Sequence, residues 1–269
     1  MLKYTAWIHW HITRVCNFNC EYCFSKMPLK NVKLKNIDYQ KILNVFEKTK
    51  KIFRLSFTGG EPTLIPNFTE AIENISKEHF LSFNSNLVST DFNDFVVKIN
   101  PERIIEIHAS FHFHELKRRG LLELFFKNYL MLKEAGFDIY AEQVAYPLIL
   151  KEANQIKEQF QKNNIEINFS PFLGKYKQQL YPENYLKEEI KKFGIKNIDK
   201  FEGKGELCNA GFTAAVAFSN GDIYKCFNDK KKLGNLFVGI DFLSEMEICK
   251  SKVCGCPLKL YDKQLFDES

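Results

Sequence analysis

Apolar positions along this chain switch repeatedly between two periods, and the switching predicts the elements. Residues 6–13, Ala-Trp-Ile-His-Trp-His-Ile-Thr, mix β-branched and aromatic side chains with polar ones and end in a loop, which predicts a strand. Ile37, Ile42, Val45 and Phe46 then recur at helical spacing, and 52–57 is a short apolar strand running into Thr58-Gly59-Gly60-Glu61-Pro62. The alternation continues with helices over 66–77, 91–98, 120–135 and 150–163, and strands over 79–84, 103–109, 137–145 and 165–170. Such alternation implies an α/β fold with a parallel sheet and helices outside it. Six parallel strands describe three quarters of a (β/α)8 barrel, whose functional groups lie on the loops leaving the C-terminal strand ends. Periodicity alone leaves a doubly wound open sheet as the alternative.

After Pro171 the pattern changes. Gly174, Pro182, Gly194, Gly203 and Gly205 surround one predicted helix over 183–193 and mark a connector. Residues 213–218 and 223–226 flank Asn220-Gly221, a strong hairpin signal. The chain is therefore expected to divide into 1–172, a connector over 173–205 and a small C-terminal hairpin and helix domain over 206–269. No further internal repeat and no low-complexity segment is present.

Composition narrows the class. With 269 residues, 45% hydrophobic and 14% aromatic, the chain can bury a sizeable core. A formal charge of +5, from 38 basic against 33 acidic residues in dispersed clusters, is too mild to argue for nucleic acid. An anionic substrate is compatible with it. The N-terminus has no uninterrupted apolar region or cleavage pattern and no long apolar window exists, so the expectation is a cytoplasmic protein without membrane segments. Eight cysteines in a reducing compartment point to metal ligation rather than disulfides. Cys16, Cys20 and Cys23 stand at the front, Cys208, Cys226, Cys249, Cys254 and Cys256 at the back, and none between.

The front triplet, Cys16-x3-Cys20-x2-Cys23, sets three thiolates in one short loop, where they can close on one soft metal centre and leave a coordination position open. A structural zinc site is closed by four protein ligands and fits a triplet poorly. The spacing, with the aromatic Tyr22 before the last cysteine, resembles the signature of the radical S-adenosylmethionine (SAM) enzymes. That resemblance implies a partial (β/α)6 TIM-like barrel and a [4Fe-4S] cluster on the three thiolates. It also implies SAM chelated at the open iron and cleaved by one electron to a 5′-deoxyadenosyl radical.

Further residues follow from the resemblance. Thr58, Gly59, Gly60 and Glu61 resemble the GGEP element that holds the SAM amino group; paired glycines let a backbone approach a ligand, and the Glu adds charge beside an ammonium group. Tyr22 and the Phe24 backbone are expected beside the adenine. Asn84, Ser85 and Asn86 after strand three and Ser110 after strand four resemble positions that bond the ribose and carboxylate, and Gln143 and Asn168 are further positions of the same type. Each also reads as an ordinary turn or packing residue. His112 and His114 are the candidate catalytic residues, as hydrogen-bond donors or proton carriers facing the substrate. Arg14 and Glu142 are other candidates for the cavity wall. His9 and His11 on strand one, and His108, His112 and His114 around the end of strand four, would be the material for a histidine metal site, although the family uses cysteines for iron.

At the back, Cys208-x12-Gly221-x4-Cys226 resembles the opening of the auxiliary-cluster modules named SPASM when they hold two clusters and twitch when they hold one. The segment 233–237 resembles the Gly-Asn stretch that follows. Five cysteines suffice for a second [4Fe-4S] cluster, expected on Cys208, Cys226, Cys254 and Cys256, with Cys249 replacing one or left free; a zinc ribbon is the alternative. The function implied is a radical SAM oxidoreductase, reduced by a flavodoxin or ferredoxin, that abstracts hydrogen from a small-molecule substrate. The auxiliary cluster would accept an electron or bind the substrate. With no spare segment for a leader-peptide module, maturation of a ribosomally synthesised peptide is the runner-up. A non-catalytic iron–sulfur or zinc protein is the reading of another class, and it has no use for the GGEP loop.

Overall fold

The computed structural model describes residues 4–23, 34–195 and 205–251. Six parallel strands pair in chain order: β1 (Ala6–Thr13), β2 (Phe53–Gly59), β3 (Phe80–Ser85), β4 (Ile104–Ser110), β5 (Ile139–Ala145) and β6 (Ile167–Pro171). Helices α1 (Tyr39–Thr49), α2 (Phe68–Ile75), α3 (Asn93–Lys98), α4 (Phe113–Arg119), α5 (Leu122–Glu134) and α6 (Ala153–Lys162) carry the chain between them. One helix departs from the periodic reading. The segment around His112 and His114 reads as loop, yet α4 forms there, held by Glu115 ion pairs to Arg118 and Arg119 one turn on, and stopped by Gly120 at φ +67°.

Strand alternation gives the sheet two unlike faces. Ile8, Trp10, Leu55, Phe57, Phe83 and Ile107 pack against Phe46, Ile72 and Phe160 of the helices in the main core. The opposite, inner face carries His9 and His11 of β1, Arg54 and Ser56 of β2, Ser82 of β3, Glu106 and His108 of β4, and Glu142 of β5. Neighbours in register bond across it: Trp7 Nε1 donates to Ser56 Oγ at 2.7 Å, Ser56 and Ser82 hydroxyls lie 2.6 Å apart, and Arg54 donates to Ser82 and pairs with Glu106.

The segment read as a connector also holds a small hairpin, β7 (Gly174–Tyr176) with β8 (Gln179–Tyr181), before α7 (Lys187–Phe193). Beyond it come β9 (Leu207–Cys208), β10 (Ala214–Ala217), β11 (Asp222–Tyr224), β12 (Lys232–Asn235), β13 (Gly239–Ile240) and β14 (Glu247–Ile248). Here the structure corrects the picture of a hairpin set apart. β10 lies parallel to β1, with Trp7 opposite Ala214 and Trp10 opposite Ala217, and β11, β12 and β13 continue antiparallel. The result is one ten-stranded sheet in the order β13-β12-β11-β10-β1-β2-β3-β4-β5-β6, open at both edges rather than closed as a barrel. Ala215, Ala217, Ile223, Leu233 and Leu236 join the main core, and β10, a strand of small side chains, is buried on both faces. The hairpin turn is also displaced by one residue. Gly221 N–H donates to Phe218 O at 2.8 Å, so Ser219 and Asn220 are central and Gly221 takes the left-handed position at φ +83°.

Among the described residues no helix follows α7, and none is long and apolar enough to cross a membrane.

Candidate active site

β1 runs into the cysteine loop, and the end of β2 lies directly against that passage. Gly60 N–H donates to Thr13 O at 2.7 Å and Glu61 N–H to Val15 O at 2.8 Å. A Cβ on Gly59 would lie 2.0 Å from Thr13 O, and one on Gly60 2.1 Å from Val15 O. The sequence predicts a ligand approach at these glycines; the structure puts a second backbone there, the one leading to Cys16.

Glu61 differs from expectation in the same direction. Its side chain is buried, and its carboxylate accepts from Thr63 N–H at 3.1 Å, Thr63 Oγ1 at 2.6 Å, Ser85 Oγ at 2.9 Å and Asn86 N–H at 2.7 Å. Burial pushes its pKa up against these bonds. The charge is thus spent within the protein, tying the β2 loop to the end of β3. Asn86 carries the tie onward, since its Nδ2 donates to Asn17 Oδ1 at 2.7 Å, inside the cysteine loop. Leu87 is held at φ +60°, with its carbonyl accepting from Asn128 Nδ2 at 2.7 Å. Ser85 and Asn86, expected at SAM, bond here to Glu61 and Asn17; the sequence did not single out Asn17 and Asn128, although a lone Asn among the buried Phe125, Tyr129 and Leu132 of α5 is the signal that could have found the second.

On the other side, α4 holds the loop. Tyr22 OH and His112 Nδ1 are 2.9 Å apart; Gln143 Nε2 donates to Tyr22 OH at 3.3 Å and to Val144 O, and Gln143 Oε1 accepts from Phe113 N–H. Three predicted residues from distant stretches therefore meet. Burial, with a smaller push from His108, brings His112 down to about 4, so the ring that meets the phenol is neutral, and its tautomer sets which of the two donates. His114 is exposed, with Nε2 3.9 Å from Glu152 Oε1. Glu115, missed in the sequence, accepts from Arg118, Arg119 and the Asn19 amide. Phe18 meets His112 edge-on at 5.8 Å and lies under the Arg119 guanidinium.

Register brings other predicted residues into rows on the inner face. Thr58 is opposite His11 and Asn84 opposite His108, while Ser110, Glu142 and Asn168 form one row at the C-terminal ends of β4, β5 and β6.

Among the described residues no three His, Cys, Asp or Glu side chains converge tightly enough to hold one metal ion. Burial raises Cys16 and Cys20 to about 12, and Glu61, Glu115 and the neighbouring thiols add to it at one or both. Thiols in so anionic a setting surrender protons to a strongly cationic centre. Phe18 N–H already donates to Cys16 Sγ at 3.3 Å, the kind of bond that stabilises and tunes cluster thiolates. At the back, Cys208, Cys226 and Cys249 line one cavity of about 520 Å³. Ala210 N–H donates to Cys208 Sγ at 3.4 Å and Asp229 N–H to Cys226 Sγ at 3.2 Å. Phe227, next to Cys226, meets His11 of the inner face edge-on at 5.0 Å. Phe24, Cys254 and Cys256 lie outside the described residues.

Comparison with known proteins agrees with this architecture. A 102-residue stretch is 29% identical to the mycofactocin maturase MftC of Mycobacterium ulcerans (strain Agy99), covering 38% of this chain and only a quarter of the length of that relative. Native anSMEcpe with bound AdoMet and Kp18Cys peptide superposes with a TM-score of 0.61 at 17% identity, over 86% of this chain and 77% of that one. Streptococcus suis SuiB bound to precursor peptide SuiA gives 0.59 at 15% identity, over 88% and 63%. These two likenesses show a shared fold. The sequence model of the Radical SAM superfamily matches residues 10–160, more than half of the chain and the whole stretch from β1 through the cysteine loop to α6, and the protein belongs to that superfamily.

Proposed function

We propose that this protein is a radical SAM oxidoreductase that activates a substrate C–H bond at the inner face of its sheet. The observation that carries the reading is the clamp on the Cys16, Cys20 and Cys23 loop. β2 grips it through Gly60 and Glu61, β3 through Asn86 and α4 through Glu115, beside a row of polar side chains at the strand ends. When bound on these thiolates, a [4Fe-4S] cluster supplies the electron that cleaves SAM to methionine and a 5′-deoxyadenosyl radical.

The chain's own residues bind, orient and exclude water. In this reading the backbone of Thr58, Gly59 and Gly60 accepts from the SAM ammonium, with Glu61 acting through the loop it holds rather than by direct contact. Tyr22, fixed by His112 and Gln143, offers an aromatic face to the adenine. Asn84 and Ser110 offer donors and acceptors to the ribose and carboxylate. His112, already bonded to Tyr22, acts as a positioning residue, and the exposed His114 is the freer of the two to meet a substrate.

Cys208, Cys226 and Cys249, with Cys254 and Cys256, are the candidates for a second [4Fe-4S] cluster in a twitch-like C-terminal part; the two amide-to-sulfur bonds and the shared cavity support it. A flavodoxin or ferredoxin would be the reductant, in the cytoplasm. The relatives named with peptides favour a peptide substrate over a small molecule.

The test is anaerobic reconstitution followed by chromatography for 5′-deoxyadenosine and electron paramagnetic resonance with and without SAM. Cleavage, together with a spectrum that changes when SAM is added, is the expected result. Zinc alone in the purified protein, or well-formed clusters that leave SAM intact, would overturn the reading.

A further inference from the structure

His108 Nε2 lies 3.4 Å from Glu142 Oε1, and the His108 ring stacks on Tyr140 with centroids 4.9 Å apart. No hydrogen-bond donor from any other described residue reaches the Glu142 carboxylate. Nearby cations are committed elsewhere. Arg54 is buried, paired with Glu106 and stacked over Trp7 at 4.8 Å. Lys157 is in the wall of the same cavity as Glu142, but its ammonium is turned to Lys192 O at 2.7 Å and sits over Phe169. The histidines do not compensate: burial holds His9 at about 3 and His11 at about 4, and lowers His108 although Glu142 and Glu106 pull the other way. What remains is one partly exposed carboxylate that no described lysine or arginine pairs with. It opens onto a cavity of about 950 Å³ at the free edge of β6, with Asn168 and Ser170 in the wall.

We infer that this cavity seats an aliphatic ammonium group of the substrate, with Glu142 as its countercharge and Asn168 and Ser170 as further acceptors. An ammonium suits the place because its three N–H donors can serve acceptors on two different strands at once. The SAM ammonium is a poor occupant. Glu142 is on β5 and the glycine loop on β2, three strand spacings or about 14 Å away along the sheet. The inference rests on the proposed function for the use made of the group, and on Glu142 alone for its capture. A small amine and a lysine side chain share this chemistry.

Saturation-transfer NMR on the reconstituted, SAM-loaded protein tests it, with butylamine and the capped tripeptide acetyl-Gly-Lys-Gly-amide as probes. Butanol and the norleucine tripeptide are the neutral controls. The amines should bind and the controls should not, and the isosteric Glu142→Gln should weaken amine binding by about tenfold or more, as expected for loss of a charge-assisted bond, with SAM affinity unchanged. Tighter binding of the tripeptide than of butylamine supports the site with a peptide as the source, and the reverse order supports it with a small molecule. Equal binding of amines and controls, unchanged amine binding in E142Q, or loss of SAM affinity in that variant would each overturn it. Amine binding by protein that takes up no SAM would support the subsite while removing the radical SAM reading.

Discussion

Asn86 donates through Nδ2 to Asn17 Oδ1 at 2.7 Å, which joins the end of β3 to the loop carrying Cys16 and Cys20. The N–H of the same residue is bonded to Glu61 Oε2, so one asparagine registers the cysteine loop against two strand ends. Its Oδ1 in turn accepts from Val88 N–H and Ser89 Oγ. A buried side chain with three such partners has no other conformation open to it.

Asn86→Ala should therefore lower stability by about 1–3 kcal/mol, since it strands Asn17 and two further groups. Iron loading at the front site should fall as well. Urea denaturation and iron content check both, and a variant with an unchanged midpoint and full loading would show the bridge to be incidental.

Substituting glycines should separate two kinds of cost. Gly60→Ala places a Cβ 2.1 Å from a carbonyl oxygen and 2.5 Å from its carbon, so the cysteine loop must move, and little soluble, iron-loaded protein is expected. Gly120→Ala meets nothing within 4 Å and bears only the left-handed φ, about 1 kcal/mol. Equal midpoints for the two variants would contradict the packing of β2 against the cysteine loop.

The two cysteine groups should respond independently. Cys20→Ala is expected to abolish SAM cleavage and keep the iron of the rear site, while Cys226→Ala is expected to keep uncoupled cleavage and lose product formation. Iron and 5′-deoxyadenosine assays on both variants decide it; loss of all iron in the first would refute two separate sites.

Acid should destabilise the fold early. Burial, with Arg103 a lesser influence, pushes His79 down to about 4, and its Nδ1 accepts from Phe53 N–H, a bond that protonation would break. The unfolded chain takes up this proton near pH 6.5 and the folded one only near 4. The contribution is therefore fully present above pH 6.5 and is lost as pH falls from there towards 4. His79→Gln should remove about 1–2 kcal/mol of the stability loss between pH 7 and 5. Urea midpoints at the two pH values measure it, and a variant as acid-sensitive as the parent would rule out His79 as a source.

The six-strand core was legible because its signal is local. Phe53, Leu55 and Phe57 alternate with Arg54, Ser56 and Thr58, and that alternation alone separates the helix side from the inner face. β10 was not placed by the same means. Its run of alanines has little strand character, and its pairing with β1 joins opposite ends of the chain, where no local pattern points. At the site, Gly59 and Gly60 announced a close approach but not what approaches. The fate of the Glu61 carboxylate depends on Ser85 and Asn86 of another strand, and the meeting of Tyr22, His112 and Gln143 depends on three separate elements. Spacing within a motif is visible in one dimension; what fastens the motif is not.

The seat of β10 beside β1 has a bearing on how the molecule comes into being. The strand that leads into the front cysteines is separated in the chain from one of its two neighbours, 214–217, by the whole run from β2 to β6. Long-range pairing of this kind is slow and leaves an exposed edge while it waits. Until that pairing forms, the loop carrying Cys16, Cys20 and Cys23 hangs from a strand with one open edge, and its frame is complete only when 214–217 has come alongside.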